Sequence, residues 1–275
     1  MSLKDCGEGI YIIDSAVVRN RRNSESSVSS RRKSFATMTY TEARKKILTE
    51  GKHAEDRQNI LVEKVIRPIS IRLTLPLVGS KMTPTAVTKC SLVASTIGFF
   101  LLAFGGNQII RMIGWIAIIL WVVMDHVDGN LARCTKRCTA LGDLWDTTAG
   151  YAAMVYIYFG AGIAAFHDSN VLEFCGKHWY LILGGMTAIF SIFPRLVMHK
   201  KKSSAVANGA VAMLSDKSSF GFVRKAALNI LSPVGFVVVF LAAAILLHGL
   251  NLFIAVYFTL NFGMMLIALF RLLKE

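Results

Sequence analysis

Apolar runs separated by short polar breaks dominate the chain, and their length predicts helices rather than strands. Six such runs are present, roughly Ser91–Gly106, Ile110–Gly129, Leu144–Phe166, Trp179–Met198, Leu228–Leu247 and Leu252–Phe270. Each approaches the ~20 residues that carry a helix across ~30 Å of hydrocarbon. The predicted fold is therefore all-α: a polytopic membrane protein with six transmembrane helices over residues 90–275. Pro233 interrupts the fifth run, and the first is short.

Ahead of the runs the pattern changes twice. Residues 1–38 include RNRRNSESSVSSRRKS, a basic, serine-rich tract with nothing to bury, which predicts a disordered tail. Its RRNS and RRKS segments have the form of basophilic kinase sites, where a phosphate would cancel part of the positive charge. Over residues 39–89 apolar and basic residues mix, as in Ile60, Leu61, Lys64, Val65 and Arg67, predicting an amphipathic helix at the membrane surface. Pro68 and Pro76 should break or bend it. MTPTAVT at Met82–Thr88 then reads as a turn and a helix start.

Composition sharpens this picture. Of 275 residues 54% are apolar and 17% charged, against about 25% charged in soluble domains. The net charge of +14 sits mainly in the ends and loops, which suits anionic headgroups and phosphate-bearing substrates and, in a membrane protein, points away from nucleic acid. Arg133, Lys136, Arg137, Lys200, Lys201, Lys202, Arg224, Lys225, Arg271 and Lys274 all fall on one side of the predicted topology. The positive-inside rule then places both termini and the Asp125–Asp146 region on the cytoplasmic side.

That region reads DHVDGNLARCTKRCTALGDLWDTTAG from Asp125 to Gly150. Asp125, Asp128, Gly129 and Ala132 follow the i, i+3, i+4, i+7 rule and share one helix face. Gly142, Asp146 and Gly150 do the same at spacings of four on the next predicted helix. If the faces meet, three carboxylates converge where small residues leave room for a ligand. Such acids repel one another at membrane depth unless neutralised. One or two Mg²⁺ or Mn²⁺ ions, which prefer oxygen donors, would neutralise them and attract a diphosphate. Arg133 adds a forked positive charge suited to phosphate oxygens. Arg195, after Pro194, is a further candidate for a phosphate, here that of an acceptor.

DxxDGxxAR, eight residues, then GxxxD resembles the signature of the CDP-alcohol phosphotransferase family, and RPIS and MTPTAVT are similar to what precedes that family's first span. The resemblance implies a six-helix membrane enzyme, commonly a homodimer, in phospholipid or related headgroup synthesis. An acceptor hydroxyl would attack the β-phosphorus of a CDP-linked alcohol and CMP would leave. Carried over by position, Asp125, Asp128 and Asp146 would bind the cations. Gly129, Ala132 and Gly142 would admit the nucleotide, and Arg133 would support the phosphates.

The family's pattern ends in a fourth aspartate, the proposed general base, where this chain has Gly150. Loss of a base costs about 10²–10⁴ in rate. Asp143 lies on the same flank as position 150 but about 10 Å away along the axis. That offset argues against direct replacement and leaves Asp143 a contact to a metal-bound water or a basic substrate. His126 points about 100° away from Asp125 and is read as a packed histidine. Two rival readings follow: a family member that binds nucleotide with impaired catalysis, and a transporter with a carboxylate cation site. CDP-alcohol-dependent release of CMP separates the enzyme from both.

Overall fold

A computed structural model of the chain describes residues 38–168, 176–207 and 229–273. The predicted basic tail falls outside these residues except for Met38. All regular structure among the described residues is helical. We number the α-helices α1 (Tyr40–Ile47), α2 (Glu50–Asp56), α3 (Arg67–Val78), α4 (Pro84–Phe104), α5 (Gln108–Thr135), α6 (Ala140–His167), α7 (Lys177–Ala207), α8 (Phe236–Leu246) and α9 (Leu250–Leu273). A π-helical turn, Val62–Ile66, leads directly into α3.

Among the described residues five helices are long and apolar enough to cross a bilayer: α4, α5, α6, the Lys177–Met198 part of α7, and the Leu250–Phe270 part of α9. The chain is an integral membrane protein. The first predicted run gains its missing length upstream, because α4 starts at Pro84, whose fixed φ and absent N–H suit a first turn. The Thr83 hydroxyl accepts the Ala86 N–H there at 3.2 Å. The fifth run loses length. Residues from Leu231 to Gly235 leave the helix, and α8 keeps only 11 residues, about 16 Å. Pro233 removes a donor and disfavours helix at the residue before it, so the break falls where the ring stands.

Packing divides the chain into two units, one comprising residues up to Ser91 with Val122–Gly150, the other Leu92–Trp121 with Tyr151 onward. The second unit is held by small residues. A Cβ placed on Gly162 would lie 2.8 Å from Gly184 Cα and 2.7 Å from the Tyr180 carbonyl oxygen. One placed on Gly114 would lie 2.7 Å from the Leu102 nitrogen. Backbones meet there without side chains between them, as small residues permit in membrane helices. Around these contacts Leu102, Ile118, Tyr158, Tyr180 and Leu241 are fully buried. Gly162→Val should therefore lower stability by about 1–3 kcal/mol through overpacking. A thermal melt in detergent indistinguishable from wild type would remove this account.

Arg111, which falls inside the second apolar run, is buried in this unit. Its Nη1 donates to Asp168 Oδ2 at 2.8 Å and its Nε to the Gly105 carbonyl at 3.1 Å. A charge at that depth is tolerable only when paired and hydrogen-bonded.

The first unit carries the juxtamembrane segment, and here the surface-helix expectation needs correcting at one residue. Ile60, Val65, Ile69 and Leu73 are exposed, as an interfacial helix requires. Arg67, read from sequence as one of its basic surface residues, is 4% exposed instead. It is buried in the stripe that continues through Ser70, Ile71, Thr74 and Val78. Pro68 does not break the helix: the π-helical turn Val62–Ile66 runs straight into Arg67–Val78, and Pro68 stands just after that turn.

Candidate functional site

The site lies wholly in the first unit, and two tight turns of backbone chemistry build it. The α5 helix stops at Thr135 because Lys136 turns left-handed, with φ 53°. The Arg137 N–H then returns to the Ala132 carbonyl at 3.0 Å and that of Lys136 to Arg133 at 3.4 Å, the paired bonds of a Schellman stop. Glycine usually occupies such a position, so this lysine costs about 1–2 kcal/mol of backbone strain. Three residues later Thr139 caps α6. Its hydroxyl accepts the Gly142 N–H at 3.0 Å and its carbonyl the Asp143 N–H at 3.0 Å. The short connection sets the start of α6 beside the end of α5.

The first turns of α4 complete the enclosure. The Thr88 hydroxyl, buried, donates to Asp128 Oδ2 at 2.5 Å. Lys89 places its ammonium 4.9 Å from the ring centre of Trp145, which ties the start of α4 to α6.

Between these three helix ends lies a partly open cavity, about 440 Å³ counting the open solvent at its mouth. Asp128, Asp143 and Asp146 line it, with Gly129, Ala132 and Gly142. The remaining lining includes Pro84, Thr85, Thr88, Arg137, Cys138 and Thr139. A Cβ on Gly142 would stand 3.0 Å from Thr139 Oγ1, a tight contact, and 3.6 Å from Thr85 Oγ1, an ordinary one.

Most of the residues singled out from sequence therefore meet, with differences in detail. Asp128 is 4% exposed and feels the negative charge of both Asp125 and Asp146. Asp125 is half-buried but is not among the cavity-lining residues. Among the described residues no three His, Cys, Asp or Glu side chains stand together at the spacing of metal ligands. The donors on offer are carboxylate and hydroxyl oxygens, with room left by two glycines and an alanine. That chemistry fits a hard divalent cation, although the carboxylates as they stand do not form a closed cage.

Arg133 is likewise absent from the cavity lining, and Arg137 supplies its guanidinium instead. The helix geometry explains the exchange. Arg133 lies roughly 80° around the axis from Asp125, on the flank of His126 and Asn130. From there its charge acts on Glu55, His126 and Asp146. Sequence reasoning passed over Arg137, which the basic loop could have suggested, and over Thr85 and Thr88, which MTPTAVT contains. Asp143, set aside on sequence as a direct replacement for a base, does line the cavity.

His126 behaves as the packed residue expected. Its Nδ1–H donates to the Val122 carbonyl at 2.9 Å within its own helix. Gly150 is half-buried, does not line the cavity, and has nothing within 4 Å of where its Cβ would be. Arg195 belongs to the second unit, half-buried, where its charge reaches the hydroxyls of Tyr151 and Tyr158.

A sequence model described as CDP-alcohol phosphatidyltransferase matches residues 81–272. No curated protein matches the chain. The matched span begins just before α4 and holds the whole cavity; the juxtamembrane helices lie ahead of it.

Proposed function

The chain belongs to the CDP-alcohol phosphatidyltransferase family, and from that premise we propose that its cavity takes a CDP-linked alcohol and passes the phospho-alcohol group to an acceptor hydroxyl, with CMP leaving. The family makes it a membrane transferase of lipid synthesis. The observation that carries the finer reading is the gathering of Asp128, Asp143 and Asp146 with Gly129, Ala132 and Gly142 around one space.

Those residue types divide the work. Carboxylates would bring in the positive charge that a pyrophosphate needs, and the residues without bulk let a nucleotide lie against backbone. Asp128 and Asp146, joined by Asp125, would hold Mg²⁺ or Mn²⁺, which supplies charge neutralisation for the attacking and leaving oxygens. Thr88 fixes one oxygen of Asp128. Arg137 offers a fork of N–H donors to phosphate oxygens at the cavity wall. Phosphoryl transfer depends chiefly on such positioning and neutralisation, so a dedicated base contributes only part of the rate.

The test uses purified protein in lipid nanodiscs with Mn²⁺ or Mg²⁺ and a panel of CDP-alcohols, with and without hydroxyl acceptors. CMP formation that needs both cation and acceptor is the expected result. Binding of CDP-alcohol with no turnover for any acceptor would favour the impaired-member reading, which Gly150 motivates. Failure to bind any CDP-alcohol would end the proposal.

A further inference from the structure

The most fully bonded polar group of the first unit lies outside the cavity, behind the helix that carries Asp125 and Asp128. Arg67 is buried at the start of α3, and its Nε and Nη2 donate to Asp56 Oδ2 and Oδ1 at 2.6 and 2.7 Å. Its remaining arm, Nη1, donates to Asn130 Oδ1 at 2.8 Å. The Asn130 amide nitrogen in turn donates to Ser70 Oγ at 3.1 Å. Asp56, Arg67, Ser70 and Asn130 are all at most 5% exposed.

We propose that Arg67, clamped by Asp56, is a positioning residue that fixes the rotation and height of α5 through Asn130, so that Asp128 and Gly129 present themselves to the cavity. The inference rests on the function proposed above and concerns how its site is held.

Three observations lead to this. First, Asn130 is next to Gly129 and two residues from Asp128, so an anchor on its amide leaves those neighbours little freedom. One residue step is 100° of rotation and 1.5 Å of rise. A productive site tolerates only about 10–20° and 0.5 Å of error. Second, the π-helical turn Val62–Ile66 ends immediately before Arg67. Its extra residue per turn changes the register, so that Arg67 faces inward while Val65 and Ile69 stay exposed. Third, a buried ion pair is a poor means of stabilising a fold, because desolvation offsets its attraction and apolar residues of similar size do as well or better. The geometric return is larger. A planar guanidinium bonded on three arms holds its partners in one plane, which an apolar contact does not do.

The arrangement also connects the surface segment to the cavity. The exposed apolar stripe of Ile60, Val65, Ile69 and Leu73 belongs to the same short stretch as Arg67. Whatever seats that stripe sets the position of the guanidinium, and through it Asn130.

The experiment separates positioning from stability by removing both Arg67 and Asp56; Lys52, 3.8 Å from Asp56 Oδ1, keeps its 2.9 Å pairing with Glu55. Arg67→Met with Asp56→Leu should melt at or above the wild-type temperature, as apolar replacements of buried pairs commonly do. It should nevertheless bind Mn²⁺ about 10–100-fold more weakly, the scale of loss when groups that orient metal ligands are removed. Free Mn²⁺ is followed by its electron paramagnetic resonance signal, using full-length protein in nanodiscs, with CMP formation measured alongside. Asn130→Ala, which leaves Arg67 and Asp56 paired, should show the same loss and covers the case of a double variant that does not fold. A folded variant of either kind with wild-type Mn²⁺ affinity and turnover would overturn the inference while leaving the proposed function standing. Wild-type protein that binds no Mn²⁺ and forms no CMP would overturn both.

Discussion

Asp128→Asn is expected to lower CMP formation by about 10²–10⁴-fold while leaving the melting temperature equal to or above that of wild type. The activity loss follows from charge. The amide keeps the size of the carboxylate and an oxygen for the Thr88 hydroxyl, so the 2.5 Å contact has a direct replacement. What disappears is the negative charge that would draw a divalent cation to the cavity wall. Such cations contribute several kcal/mol to stabilising a phosphoryl-transfer transition state, and each 1.36 kcal/mol is a factor of ten in rate. Stability should move the other way. Asp128 is buried and feels two like charges, from Asp125 and Asp146. Neutralising it relieves desolvation and repulsion together. Activity and stability moving in opposite directions mark a residue kept for its chemistry. Turnover within threefold of wild type, at saturating Mn²⁺ and CDP-alcohol, would show that Asp128 does not hold the cation.

How far the sequence foretold this site depends on whether each interaction is local. Asp128, Gly129 and Ala132 could be assigned to one face by helix periodicity, although the same rule put Asp125 there and it does not line the cavity. Gly142 and Asp146 followed by the same rule. Arg133 was singled out for its charge, which suits phosphate; its azimuth puts it on the flank of His126 and Asn130. Arg67 could not have been placed at all from periodicity. Its partner Asn130 is 63 residues away, and a basic residue in an amphipathic stretch looks the same whether it meets headgroups or a buried amide. Arg111 repeats the lesson, since its carboxylate partner is 57 residues distant. Span length failed at one place for a local reason that was visible. Pro233 interrupts the fifth run, and the α8 helix begins only beyond it, at Phe236.

Gly150→Asp should raise the rate of CMP formation by about 10²–10⁴-fold if the glycine is what limits proton removal from the acceptor. Structure favours the substitution on three counts. No atom lies within 4 Å of the added Cβ, so nothing must move to admit it. The position is helical in α6, where aspartate is somewhat more favourable than glycine. It is also one turn beyond Asp146, the spacing that puts both side chains on one face. That spacing carries an opposing term. Like charges at i and i+4 disfavour the helix by about 0.2–0.5 kcal/mol, which roughly cancels the gain in helix propensity. Net stability should therefore change little, and the rate becomes the informative quantity. Gly150→Asn supplies the control, matching the aspartate in shape without its basicity. A gain confined to the aspartate variant would identify base catalysis as the limiting step in the natural enzyme. Equal rates for the two variants would instead mean that proton removal already proceeds by another route, and Asp143, which lines the cavity, becomes the next residue to replace.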